Sequence, residues 1–156
     1  EGVMDQESAY LLALTNTATY TIKGDILTFF DAQGARQVEY QANPLVGTTW
    51  QLQKIQYMND TSKTPDDPAK YTVQFLADGT LQFKADCNTG SGKYTLAGSS
   101  LTIELGAMTM AACPPDSLSD EFLQNLGIAA SYLFQGEELY LATQMDVAIM
   151  QFAVAP

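Results

Sequence analysis

A segment of this chain occurs twice, and that repetition limits the possible folds more than any other feature. Residues 8–41 (SAYLLALTNTATYTIKGDILTFFDAQGARQVEYQ) align without a gap on residues 120–153 (DEFLQNLGIAASYLFQGEELYLATQMDVAIMQFA) at a constant offset of 112. Leu11/Leu123, Leu14/Leu126, Ala18/Ala130, Tyr20/Tyr132, Gly24/Gly136 and Leu27/Leu139 are identical, while Tyr10/Phe122, Ile22/Phe134, Phe29/Leu141 and Tyr40/Phe152 keep their chemical type. A period that long specifies tandem domains. The expected organisation is residues 1–42 as the C-terminal part of a preceding domain, 43–46 as a linker and 47–156 as a complete domain. Ala42, Asn43 and Pro44 mark the break, because proline cannot continue a sheet interior. Some 42 residues rarely offset their own chain entropy, so the opening segment is expected to lean on something, by docking or by swapping between chains.

Eighteen acidic groups against seven basic ones give a formal charge of −11. A field of that sign repels phosphate backbones and anionic bilayers, so nucleic acid is not an expected partner and direct membrane insertion of this segment is not expected either. Any signal peptide or lipid-anchor cysteine is expected upstream of this sequence. Histidine is absent, which removes the commonest general base and the commonest transition-metal ligand. No catalytic residue, metal site or cofactor is read from the chain. Cys87 and Cys113 fit neither a zinc site nor a CxxC redox motif. In a reducing compartment they are thiols. In an oxidising one they can pair, and closing their 26-residue separation would contribute about 3–4 kcal/mol in the loop-entropy model.

The pattern of apolar positions gives a mainly β chain. Tyr10, Leu11 and Leu14, like Leu118, Phe122, Leu123 and Leu126, make the stripe of a short amphipathic helix. Pro114 and Pro115, with Asp116 or Ser117 as cap, are expected to start the second one. Hairpins are expected to turn at Gly24–Asp25, Asp78–Gly79, Gly98 and Gly136–Glu137. Residues 48–57 read as a long strand, 58–68 as a polar surface loop, and the glycine-rich 87–92 as a turn served by Asn88 and Gly92. The expected fold is an antiparallel sheet of seven or eight strands, closed or nearly closed into a small barrel with one late helix, preceded by a helix and three strands of a partial second copy.

Four spaced elements in order, Cys87-Asn88 with Gly92 and Tyr94, Thr109 with Ala112, Cys113 and Pro114, the short helix, and Tyr132 with Gly136 and Leu139, resemble the META domain (HslJ-like) family. Trp50, within GTTWQL, matches that family's usual opening strand. The resemblance spans residues 45–156, and residues 1–42 resemble only the family's closing third. It implies an antiparallel β fold with a helix, often in bacterial envelope lipoproteins or heat-inducible proteins, and no general enzymatic activity or cofactor. Asp86 departs from the pattern, since many members carry Gly before the Cys-Asn pair.

The resulting expectation is a noncatalytic, extracytoplasmic bacterial module (periplasmic, cell-surface or secreted) that acts through protein contacts. One alternative is a protease or hydrolase inhibitor inserting loop 58–68 or 87–92. Another is a small-ligand carrier lined by Trp50, Tyr94 and Tyr132. Asp60, Asp66 and Asp67 lack the spacing of a calcium loop. The methionines read as core filler dispersed over strands, with Met108 and Met110 sharing one strand face.

Overall fold

The first apolar stripe folds into a helix longer than its spacing implies: α1 covers Gly2–Thr15, whereas the pattern locates only its last two turns. Three antiparallel strands follow, β1 (Thr19–Lys23), β2 (Ile26–Phe30) and β3 (Arg36–Gln41), in the order β1-β2-β3. The computed structural model describes residues 2–23, 26–41 and 45–156, with side chains from residue 5 onward. The turn expected at Gly24–Asp25 and the break at Ala42–Pro44 lie outside the described residues. Two compact units are distinguished, residues 1–43 and 44–156.

In the first unit Tyr20 lies opposite Phe29 and Ile22 opposite Leu27, while Leu27 and Phe29 lie opposite Tyr40 and Val38. Directly opposed residues point to the same face of a sheet. These six side chains therefore form one apolar face, and α1 packs on it through Tyr10, whose ring meets Tyr40 edge-on at 6.4 Å. Asp31 closes the second turn by accepting from the Gln33 and Ala35 amides at 2.9 and 2.8 Å.

The second unit contains β4 (Thr49–Tyr57), the short β5 (Ser62–Lys63), β6 (Tyr71–Phe75), β7 (Thr80–Ala85), β8 (Asn88–Ala97) and β9 (Ser100–Met108). After these come α2 (Ser119–Gly127), β10 (Ala129–Gln135), β11 (Glu138–Thr143) and β12 (Ala148–Val154). β4 pairs antiparallel with both β5 and β6, each strand from β6 to β11 pairs antiparallel with the next, and β12 returns to pair with β4, from Ala148 opposite Tyr57 to Val154 opposite Trp50. That last pairing closes an eight-stranded antiparallel barrel. Side chains fill it, as they do in barrels of this strand number: Trp50, Phe75, Phe122, Phe152, Leu139 and Met150 are all fully buried.

α2 supplies Phe122 and Leu126 to this core from its inward stripe. In chain order it joins β9 and β10, the two barrel strands whose pairing is sparsest. Between β9 and β10 the ladder is reduced to Ser100 opposite Ser131, with the Tyr132 amide donating to the Ser99 carbonyl at 2.9 Å, and β10 carries a bulge beside it. A bulge bends its strand, and here it follows directly on the helix.

Several expectations change. α2 begins at Ser119, later than Asp116 or Ser117 would cap it, because the two prolines are followed by a turn in which the Ser117 amide donates to the Pro114 carbonyl. Ser117 still serves the helix start, its hydroxyl accepting from the Ser119 amide at 3.1 Å. The glycine-rich stretch is strand, not turn: β8 starts at Asn88. A Cβ on Gly92 would stand 2.4 Å from the Glu104 carbonyl oxygen, and one on Gly90 would stand 2.5 Å from the Phe83 ring. These glycines permit close approach of neighbouring chain segments. The 58–68 segment is not wholly a surface loop, since it contains β5 and buries Pro65. Of the methionines, Met150 is in the core, but Met58, Met110 and Met145 are exposed, and β9 ends before Met110. Met108 and Met110 therefore do not share a strand face.

Candidate functional site: the disulfide and the asparagine clamp

Asn88 opens β8 and is buried. Its side-chain amide acts as an extra peptide group. Oδ1 accepts from the Ala111 amide at 2.7 Å, and Nδ2 donates to the Ala111 carbonyl at 3.1 Å. Thr109 joins the same cluster: its hydroxyl donates to Asn88 Oδ1 at 3.1 Å and accepts from the Thr89 amide at 2.9 Å. Cys87 and Cys113 are joined by a disulfide, and Asn88 Nδ2 lies 3.4 Å from Cys113 Sγ.

The physical need for this cluster is clear from the fold. Beyond Met108 the chain leaves the sheet ladder, so its backbone groups require other partners. Asparagine carries a donor and an acceptor on one planar group and satisfies both at Ala111. The Cys-Asn pair and the later Thr-to-Cys element are thus two sides of one clamp, and Asn88 does not serve a turn as its residue type suggests.

The family model of the META domain matches residues 43–155. The chain belongs to the META domain family. No curated protein sequence matches it. Among solved structures it resembles a DUF4847 family protein from Bacteroides vulgatus (TM-score 0.55, 18% identity, covering 70% of this chain and 94% of that one). It also resembles a protein from Burkholderia xenovorans solved by NMR (TM-score 0.56, 17% identity, 71% and 83% covered). At that identity the likeness is one of fold.

The other META motif positions are placed as follows. Trp50 is buried in the barrel, its indole N–H donating to the Leu45 carbonyl at 3.3 Å and its ring 5.7 Å from Phe134. Tyr94 is buried against Phe75, with its hydroxyl donating to the Leu76 carbonyl at 2.6 Å. Burial, followed by the nearby Asp78 charge, raises the Tyr94 phenol above its ordinary value. Tyr132 is half-buried beside Phe134, and Gly136 takes a φ of +64° at its hairpin turn. The structure therefore brings Cys87, Asn88, Thr109 and Cys113 together and leaves Trp50, Tyr94, Tyr132 and Gly136 in separate packing and turn roles.

Two hollows flank the clamp. One of about 370 Å³ is lined by Asn88, Ala111, Cys113, Pro115 and Ser119, and the Ser119 hydroxyl is buried without a hydrogen-bond partner among the described residues. The other, about 230 Å³, is lined by Asp66, Asp67, Lys70, Tyr71, Asp86 and Asp116. Asp67 caps the short 3₁₀ turn at residues 68–70 by accepting from the Ala69 amide at 3.0 Å. No group of His, Cys, Asp and Glu among the described residues is arranged to hold a metal ion.

Sequence reasoning missed the contacts that anchor α2 here. The Tyr71 hydroxyl accepts from the Leu118 amide at 2.9 Å, and Lys63 on β5 pairs with Glu121. That hydrogen bond holds the Glu121 carboxyl below its ordinary value and the Lys63 ammonium above its own. No local pattern announces partners so far apart along the chain.

Asp86, the departure from the family pattern, adopts the left-handed φ of +56° and pairs with Lys70 at 3.5 Å. A non-glycine residue there costs about 1–2 kcal/mol, less for aspartate, whereas an ion pair with a half-exposed lysine contributes at most about 1 kcal/mol. Asp86→Gly is expected to stay within about 0.5 kcal/mol of the parent, and Asp86→Ala to be less stable than Asp86→Gly by about 1 kcal/mol. Urea midpoints of the two variants measure this. Equal midpoints would mean that the backbone conformation carries no cost.

Proposed function

We propose that this META-domain protein is a noncatalytic module working outside the cytoplasm through protein contacts, and that the first unit bears the contact surface. The observation that carries this reading is the apolar face of β1 and α1. Tyr20 and Ile22, two apart and so on one side of β1, are each 65% exposed, and Tyr10 of α1, which packs on the same sheet face through Tyr40, is 42% exposed. Contiguous exposed apolar surface on a soluble domain marks an interaction site. The disulfide supports an oxidising compartment, where such bonds persist.

The carrier alternative has less support, because Trp50 and Tyr94 are packed inside a filled barrel. An inhibitor would need a projecting insert, and residues 88–92 are paired in β8. The test is retention by the intact protein immobilised as bait against periplasmic and secreted fractions. A stoichiometric partner is expected, retained by Met110→Asp and lost with the double variant Tyr20→Asp, Ile22→Asp. Retention indifferent to that double variant would overturn the assignment of the surface.

A further inference from the structure

The surface of the first unit has a counterpart in the second whose cover is known. Adding 112 to each number carries Tyr20 opposite Phe29 onto Tyr132 opposite Leu141, and Ile22 opposite Leu27 onto Phe134 opposite Leu139. It also carries Phe29 opposite Val38 onto Leu141 opposite Met150. The helix obeys the same operation. Tyr10 meets Tyr40 at 6.4 Å and 83°, and Phe122 meets Phe152 at 6.3 Å and 62°. Strand register, helix placement and side-chain type thus repeat together, which a chance resemblance of three strands and a helix would not give.

The difference lies in burial. Phe122 is 0% exposed and Tyr10 is 42% exposed. Leu139, Leu141, Met150 and Phe152 are fully buried, while their equivalents Leu27, Phe29, Val38 and Tyr40 are only half-buried. In the second unit that face is covered by the five strands β4 and β6–β9. These pair with β12 through β4 and with β10 through β9.

We infer that residues 2–41 are the closing half of a second META barrel, and that the partner of their apolar face is the opening half: a five-stranded antiparallel sheet like that formed here by residues 45–112. Its first strand would pair along Arg36–Tyr40 and its last would meet β1. This rests on the protein-contact reading above and names the partner. The chemistry of recognition is specific. The partner must present two strand edges at once, and between them an apolar inner face with a large aromatic at the position of Trp50, the residue that packs on Phe134 and would here pack on Ile22.

The test keeps residues 1–156 and supplies an opening half, by fusing a second copy of residues 45–112 directly ahead of residue 1 with Cys87→Ser in the added copy. Amides of Tyr20–Ile22 and Val38–Tyr40 are expected to exchange at least about 100-fold more slowly than in the chain alone, as core strands do relative to uncovered ones. The same fusion with Leu52→Asp and Ile55→Asp in the added copy should give no slowing. A further fusion carrying a whole added copy of residues 45–156 shows that the added strands fold at that position. If it folds and the half-copy fusion leaves exchange unchanged, the inference is overturned. Light scattering then separates it from the broader reading: a dimer abolished by Tyr20→Asp with Ile22→Asp would make a second copy of this chain the partner. A monomer with no partner sensitive to that double variant would sink the protein-contact reading as well.

Discussion

Replacing both Cys87 and Cys113 by serine is expected to lower the stability of the META domain by about 3–4 kcal/mol. The bond closes a 26-residue separation, and in the loop-entropy model a cross-link of that span removes this much freedom from the unfolded chain. Asn88 sets what happens locally. Its bonds to Ala111 and Thr109 do not depend on the sulfur bridge, so residues 109–113 should stay docked in the serine variant while global stability falls. Urea denaturation with and without reductant measures the first part, and amide exchange at Ala111 the second. A midpoint unmoved by reductant would show that the clamp alone holds this segment. Exchange at Ala111 rising to the level of an unstructured peptide would show instead that the amide clamp depends on the disulfide.

Phe122→Ala and Tyr10→Ala make the second comparison, since the two residues occupy equivalent places. Phe122 is fully buried, with its ring against both Tyr71 and Phe152. Truncating a phenylalanine in a filled core costs about 3–5 kcal/mol, from lost transfer energy and the cavity left behind. Tyr10 meets Tyr40 ring to ring and hydroxyl to hydroxyl but is 42% exposed, so its truncation is expected to cost only about 1 kcal/mol. Two thermal melts suffice. A loss at Tyr10 approaching that at Phe122 would mean that the first unit is already completed by something that covers it in solution, and the effect at Tyr10 should then depend on protein concentration.

The contrast between these two residues also shows what could be read in advance. Their equivalence is legible in sequence, because an ungapped repeat preserves helix stripe and strand alternation together, and both are local periodicities. Their difference in exposure is not, because burial depends on strands that lie elsewhere in the chain. The methionines fail for a related reason. Residue type marks Met110 as apolar filler, but the strand it was assigned to stops at Met108.

The amino-acid sequence alone determined the family, the mainly antiparallel strand content, the hairpin turns at Asp78–Gly79, Gly98 and Gly136, and the inward stripe of α2. Each is fixed by neighbours within a few residues or by spaced motif residues. Only the tertiary structure decided that β12 closes onto β4, that Asn88 clamps Ala111 and that Gly90 and Gly92 serve close packing within a strand. Glycine is used both where the backbone must turn and where another chain segment must come close. Composition cannot separate those uses, because the deciding atoms, such as the Glu104 carbonyl and the Phe83 ring, are brought there by the fold.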